Sequence, residues 1–360
     1  MGKILVIVGC GLLAGCVTVE KTRERLASGN VEQIEQAKRD ARRMALDRYL
    51  PEAERIAYVE MLTENDTLYE MLPFLHDNRS VQAAAIKKMS FAEEGLAAKF
   101  AKDYDAYDSI LRRCLSDDVL SIAVSQMCAQ ADFDDLYAAR KIFRVETSLE
   151  NEMLDALLEK AMSDAQRVKV FDVCDDDKRR ERALANVKDQ NVLLDCLCTG
   201  LEESKAKIVA GYLSDETIIE FIRKDVRFVR FAEHKGAHCL CGKMKDPDKL
   251  GALLVDLAGP RAELCRSAMK ILSDACLVKI IEEAKNEKLR EYAPWDIRSV
   301  QAAERLFCGG KVSAKIQWAL AFRLQKGAAT RKMYEAASDE KVRKELLEKM
   351  PRELRKEIVK

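Results

Sequence analysis

The chain has 360 residues, of which 48% are apolar, 34% charged and 6% aromatic, with only 15 glycines and 6 prolines. Basic and acidic residues balance at 61 each, which argues against a nucleic-acid surface, because phosphate binding draws on clustered excess positive charge. The same composition excludes extensive disorder and favours helices over sheets, in one elongated array or two ordinary domains.

The N-terminal segment is the most explicit part of the chain. Lys3 precedes an apolar run from Ile4 to Leu13, which ends in Leu13-Ala14-Gly15-Cys16. A basic start, a short apolar stretch and small residues at its end are the parts of a secretory signal. About ten apolar residues are too few for a permanent span, which takes roughly twenty. Gly2 is not read as a myristoylation site, since Val6 stands where that motif needs Ser or Thr. The tetrapeptide resembles the lipobox of bacterial lipoproteins. That resemblance implies removal of residues 1–15, acylation of Cys16 (palmitate or a similar chain), and a protein held in the bacterial cell envelope. Val17 replaces the Asp that favours inner-membrane retention, so the resemblance points to the outer membrane, facing the periplasm or the surface. Each buried acyl methylene adds about 0.8 kcal/mol, so a multiply acylated Cys16 holds firmly. Residues 16–22 are expected to form a lipidated, disordered tether, and residues 23–360 the folded body.

Within that body, residues 31–72 carry helical apolar spacing that does not phase with the later segments, while 81–102 and 119–143 read as diverged copies of a pattern that is clear over 153–307. Ala183-Leu184-Ala185-Asn186-Val187-Lys188-Asp189, Val209-Ala210-Gly211-Tyr212-Leu213-Ser214-Asp215 and Ala268-Met269-Lys270-Ile271-Leu272-Ser273-Asp274 each close an apolar segment on an Asp. A second apolar segment opens at Val192-Leu193, Ile218-Ile219 and Leu277-Val278, returning at Cys196, Ile222 and Ile281. With Asp164 and Asp246 added, the unit of helix, Asp turn and helix recurs with a period of about 26 residues. The Asp is expected to cap the second helix, where a short acceptor satisfies free N–H groups and a negative charge suits the dipole. Two apolar stripes per unit are buried only if neighbouring units stack.

The pattern resembles short bacterial HEAT-like repeats, which implies an all-α fold, an α-solenoid of helical hairpins with a broad protein- or peptide-binding surface. Pro294 and Trp295 interrupt it, Val300 stands in place of the capping Asp, and residues 312–337 keep the helical spacing without one.

Ten cysteines follow Cys16. Their even number in an exported protein invites a disulfide framework, but Cys196 and Cys241 fall at aliphatic core positions, so most of the thiols are read as free and buried, with Cys198 the one expected at the surface and the framework as the alternative. The sharpest chemical candidate is His234-Lys235-Gly236-Ala237-His238-Cys239-Leu240-Cys241. On a continuous helix His234, His238 and Cys241 share one face and could begin a zinc site, but Gly236 weakens that helix, and the segment is read first as an irregular turn between repeats with exposed histidines. Gly309-Gly310 lacks the rest of a nucleotide loop, no Gly-x-Ser-x-Gly elbow occurs, and the acid pairs lie at expected helix starts. The reading is therefore a membrane-anchored, non-enzymatic scaffold for an envelope protein or peptide, lipidated at Cys16, with no cofactor, no small-molecule substrate and no nucleic acid. The alternative is a metal-binding protein or enzyme using the His234/His238/Cys241 region.

Overall fold

Small polar residues open most of the helices, as the spacing of apolar stripes between Ser, Asp, Asn and Thr requires. The computed structural model describes residues 17–106, 109–144 and 146–359. Among these residues every regular element is helical, with 26 α-helices, three 3₁₀ helices and no strand, so the fold is all-α. The lipobox, Cys16 included, lies outside the described residues. Among the described residues no helix is long and apolar enough to cross a membrane. The chain divides between Ala183 and Leu184 into two units, each with its own core.

In the first unit, Val31–Leu46 packs on Glu52–Met61, which packs on Arg79–Lys88; Asp117–Gln130 follows, and Thr147–Lys160 after it. Beside them Leu96–Asp105 packs on Phe133–Ile142, which meets Asp164–Val173. Phe91, Phe100 and Phe143 fill the space between, with Phe91 and Phe100 edge to face at 5.8 Å. A charge is also buried here. Arg55 is 2% exposed; its Nε donates to the Ala45 carbonyl at 2.9 Å and its two Nη atoms clasp Asp77 at 2.6 and 3.1 Å. That guanidinium holds the Asp77 carboxyl below the usual carboxylate range, against a smaller opposing effect of burial.

The expected tether is partly folded. Val19–Leu26 is a helix whose cap, Thr18, accepts from the Lys21 N–H, and which packs on Val31–Leu46. Thr22 is buried and bonds back to the Thr18 carbonyl, while Arg25 pairs with Asp40 at 3.1 Å. A capped turn with one buried face and an ion pair outweighs the low apolar content of this segment, so the folded body starts at residue 19 rather than 23.

In the second unit, Asp215–Lys224 packs on Pro247–Asp256, that helix on Asp274–Glu283, and that one on Val300–Cys308. Alongside, Glu203–Ala210 packs on His238–Cys241, and His238–Cys241 on the 3₁₀ helix Cys265–Ile271. Pro294 and Trp295 sit in another 3₁₀ turn, Ala293–Asp296, because proline supplies no N–H for a longer helix.

The Asp pattern divides into two roles. Asp189 and Asp246 are N-caps, accepting from the Asn191 and Asp248 N–H groups at 2.8 and 3.0 Å. At Asp164, Asp215 and Asp274 the cap is instead the preceding Ser163, Ser214 or Ser273, and the Asp is the first helical residue. Relieved of capping, Asp215 accepts from the Lys245 and Asp246 N–H groups, both at 2.9 Å. Asp274 does the same for Arg298 and Ser299, at 3.0 and 2.7 Å. These carboxylates thus tie the start of one helix to the start of a later one. Gln190 makes the neutral version, accepting from Ser214 N–H at 2.8 Å, and in the first unit Asp135 accepts from Ala97 and Ala98, both at 3.0 Å.

Candidate functional site

Helix Arg227–Lys235 is strongly two-faced. Phe228, Phe231 and Ala232 are buried, with Phe228 and Phe231 set edge-on to Phe221 at 5.8 and 6.1 Å. Arg227, Arg230 and His234 lie on its exposed side at helical spacing. The helix ends at Gly236, whose φ of 79° falls in the left-handed region that glycine alone adopts freely. A Cβ there would stand 2.5 Å from Nδ1 of His238, so the turn also needs the space that glycine leaves for the imidazole. A short helix, His238–Cys241, follows.

This break matches the irregular turn with exposed histidines and undoes the single face that a continuous helix would have given His234, His238 and Cys241. Cys241 is fully buried with Cys265, and the contact between the two thiols, together with burial, pushes the Cys241 thiol up. His238 instead meets its neighbour in sequence. Its Nε2 is 3.6 Å from Sγ of Cys239 and 3.6 Å from Oε1 of Glu203, and the three potential ligand atoms lie within 4.8 Å of one another. Cys239 is buried and donates its S–H to the Lys235 carbonyl at 3.0 Å; burial and the Glu203 charge raise its pKa. Glu203 is exposed and held below the usual range mainly by Lys207 at 2.6 Å, with a smaller contribution from His238. Glu203 escaped the sequence reading because it belongs to a separate helix and only packing brings it to the histidine.

His234 turns the other way, into a cleft of about 580 Å³ that it lines with Cys198, Arg227, Arg230, Phe231 and Lys235. Among the described residues its lining holds four basic side chains and no carboxylate. Arg227 is compensated from outside by Asp225 and Asp195 at 2.7 and 2.6 Å. The excess positive charge therefore comes from Arg230, Lys235 and, when protonated, His234. Cys198, expected at the surface, is half-buried in this wall; burial raises its thiol pKa and Arg227 partly offsets that. Among the described residues the exposed thiol is Cys308, the last residue of Val300–Cys308, on the helix side away from its buried Ala303, Leu306 and Phe307. Cys196 and Cys241 are core residues, as their alignment with aliphatic positions implies. No family model, curated protein or solved structure matches the chain.

Proposed function

We propose that the chain is a lipid-anchored protein of the bacterial cell envelope, in which HEAT-like helical hairpins with a period of about 26 residues present a binding surface to another envelope protein or peptide. Acylated Cys16 supplies the anchor in this reading, with the outer membrane as its site and no catalytic step. The observation that carries it is the cleft beside helix Arg227–Lys235. Cationic groups around a wall containing Leu197 and Phe231 suit an acidic segment with apolar neighbours, for charge sets approach and register while buried apolar area supplies affinity. Regularly packed helices hold such a wall with little conformational loss on binding. The ties from Asp215 and Asp274 add to that rigidity.

Crosslinking in intact cells of the host, followed by mass spectrometry, tests this reading on wild type, Cys16→Ser and Arg230→Glu. A partner captured by wild type, and reduced severalfold in both variants, is the expected result. The same capture from all three, or none above background from wild type, overturns it.

A further inference from the structure

We propose that Glu203, His238 and Cys239 form a zinc site whose fourth position opens to solvent. The site is independent of the anchor and of the cleft. Its donors are one imidazole nitrogen, one thiol and one carboxylate, a mixed set that suits zinc and is poor for calcium or magnesium, which take oxygen ligands. Zinc bonds of about 2.0–2.3 Å to such donors place tetrahedral ligands roughly 3.3–3.7 Å apart. The two distances from His238 Nε2, 3.6 Å to Sγ of Cys239 and 3.6 Å to Oε1 of Glu203, are already of that length.

The surroundings fix the ligand that needs fixing. Neighbouring helical residues ordinarily point about 100° apart, so adjacent His and Cys seldom meet. Here the left-handed turn at Gly236 starts a new helix at His238, and its missing Cβ admits the ring, with Nδ1 toward the glycine and Nε2 toward the thiol and carboxylate. Cys239 lies buried beneath, while Glu203 and His238 are exposed, so an ion reaches the triad from solvent and retains an outward position. Binding converts the Cys239 S–H to a zinc-bound thiolate. The S–H now directed at Lys235 O is given up, one proton leaves to solvent, and the Glu203 carboxylate exchanges Lys207 for the metal. The bound ion joins helix Glu203–Ala210 to the turn before His238–Cys241.

The test is titration of the full mature chain, purified without a tag, with Co²⁺ as a spectroscopic substitute and Zn²⁺ as competitor. One equivalent of Co²⁺ should give a near-ultraviolet thiolate-to-cobalt band that Zn²⁺ abolishes. Cys239→Ser should lose that band, and His238→Ala and Glu203→Gln should each weaken binding at least tenfold, with helical circular dichroism unchanged. His234→Ala and Cys198→Ser should bind as wild type does. The proposal is overturned if wild type takes up no stoichiometric metal, if His238→Ala binds equally well, or if His234→Ala abolishes binding while His238→Ala does not.

Discussion

Asp215, 6% exposed, shows how one side chain can hold two elements in place. It accepts from two backbone N–H groups at the start of Pro247–Asp256, and hydrogen bonds to a charged acceptor contribute about 1.5–3 kcal/mol each. Asp215→Ala should cost about 2–4 kcal/mol, whereas the exposed neighbour change Glu216→Ala should cost well under about 1 kcal/mol. Tryptophan fluorescence during urea unfolding measures this directly, because both tryptophans, Trp295 and Trp318, lie in the second unit. Arg55 makes the corresponding case in the first unit. Arg55→Ala leaves Asp77 and the Ala45 carbonyl without their cation and should cost about 3–5 kcal/mol, and Arg55→Lys should not restore it, since a point-like ammonium lacks the planar fork that reaches the carbonyl and both carboxylate oxygens at once. The pH dependence has a definite sign. Asp77 titrates lower in the folded chain than in the unfolded one, so its contribution is complete above the unfolded carboxyl pKa of about 4 and is lost as pH falls through the lower folded value. Unfolding by urea as a function of pH should therefore show wild type and Arg55→Ala converging in acid.

Helices are where the sequence was most legible, and their junctions least. The apolar stripes around Leu193, Ile218 and Leu277 are buried as their spacing implies, within Gln190–Cys198, Asp215–Lys224 and Asp274–Glu283. The recurring Asp marked helix starts correctly, but its role depends on whether a serine precedes it. Ser-Asp places the cap on serine and leaves the carboxylate to reach a later turn, an outcome that local propensity cannot contain because the acceptor's partners are 24 to 31 residues away. At Gly236 a left-handed turn stands where a shared His234/His238/Cys241 face would need a continuous helix, and the candidate ligand set becomes Glu203/His238/Cys239. Gly236→Ala tests that junction. A Cβ in the positive-φ region and against His238 should lower stability by roughly 1–2 kcal/mol and abolish the cobalt band, whereas Gly259→Ala, at a positive-φ glycine with open space around it, should lower stability alone.

At the scale of the whole molecule, the thiols of the described residues separate by accessibility rather than by sequence position. Cys308 is exposed, while burial pushes Cys174 to about 11 and Cys128 to about 12. Alkylation near pH 8 should label Cys308 first, and should reach Cys174, Cys241 and Cys265 only after denaturant is added, as peptide mass spectrometry can follow. The balanced charge and absence of a catalytic motif set the broad expectation of a binding protein, but neither could locate the cleft. Arg227, Arg230 and His234 are ordinary exposed residues of an amphipathic helix until packing sets Leu197 and Cys198 opposite them. The proposed anchor is the premise on which an envelope partner depends. Mass spectrometry of the N-terminal peptide, from protein isolated out of host membranes, tests it most directly. The account predicts a peptide that begins at Cys16 and carries acyl chains. An unmodified peptide that begins upstream of Cys16, or protein recovered wholly free of membranes, would contradict it.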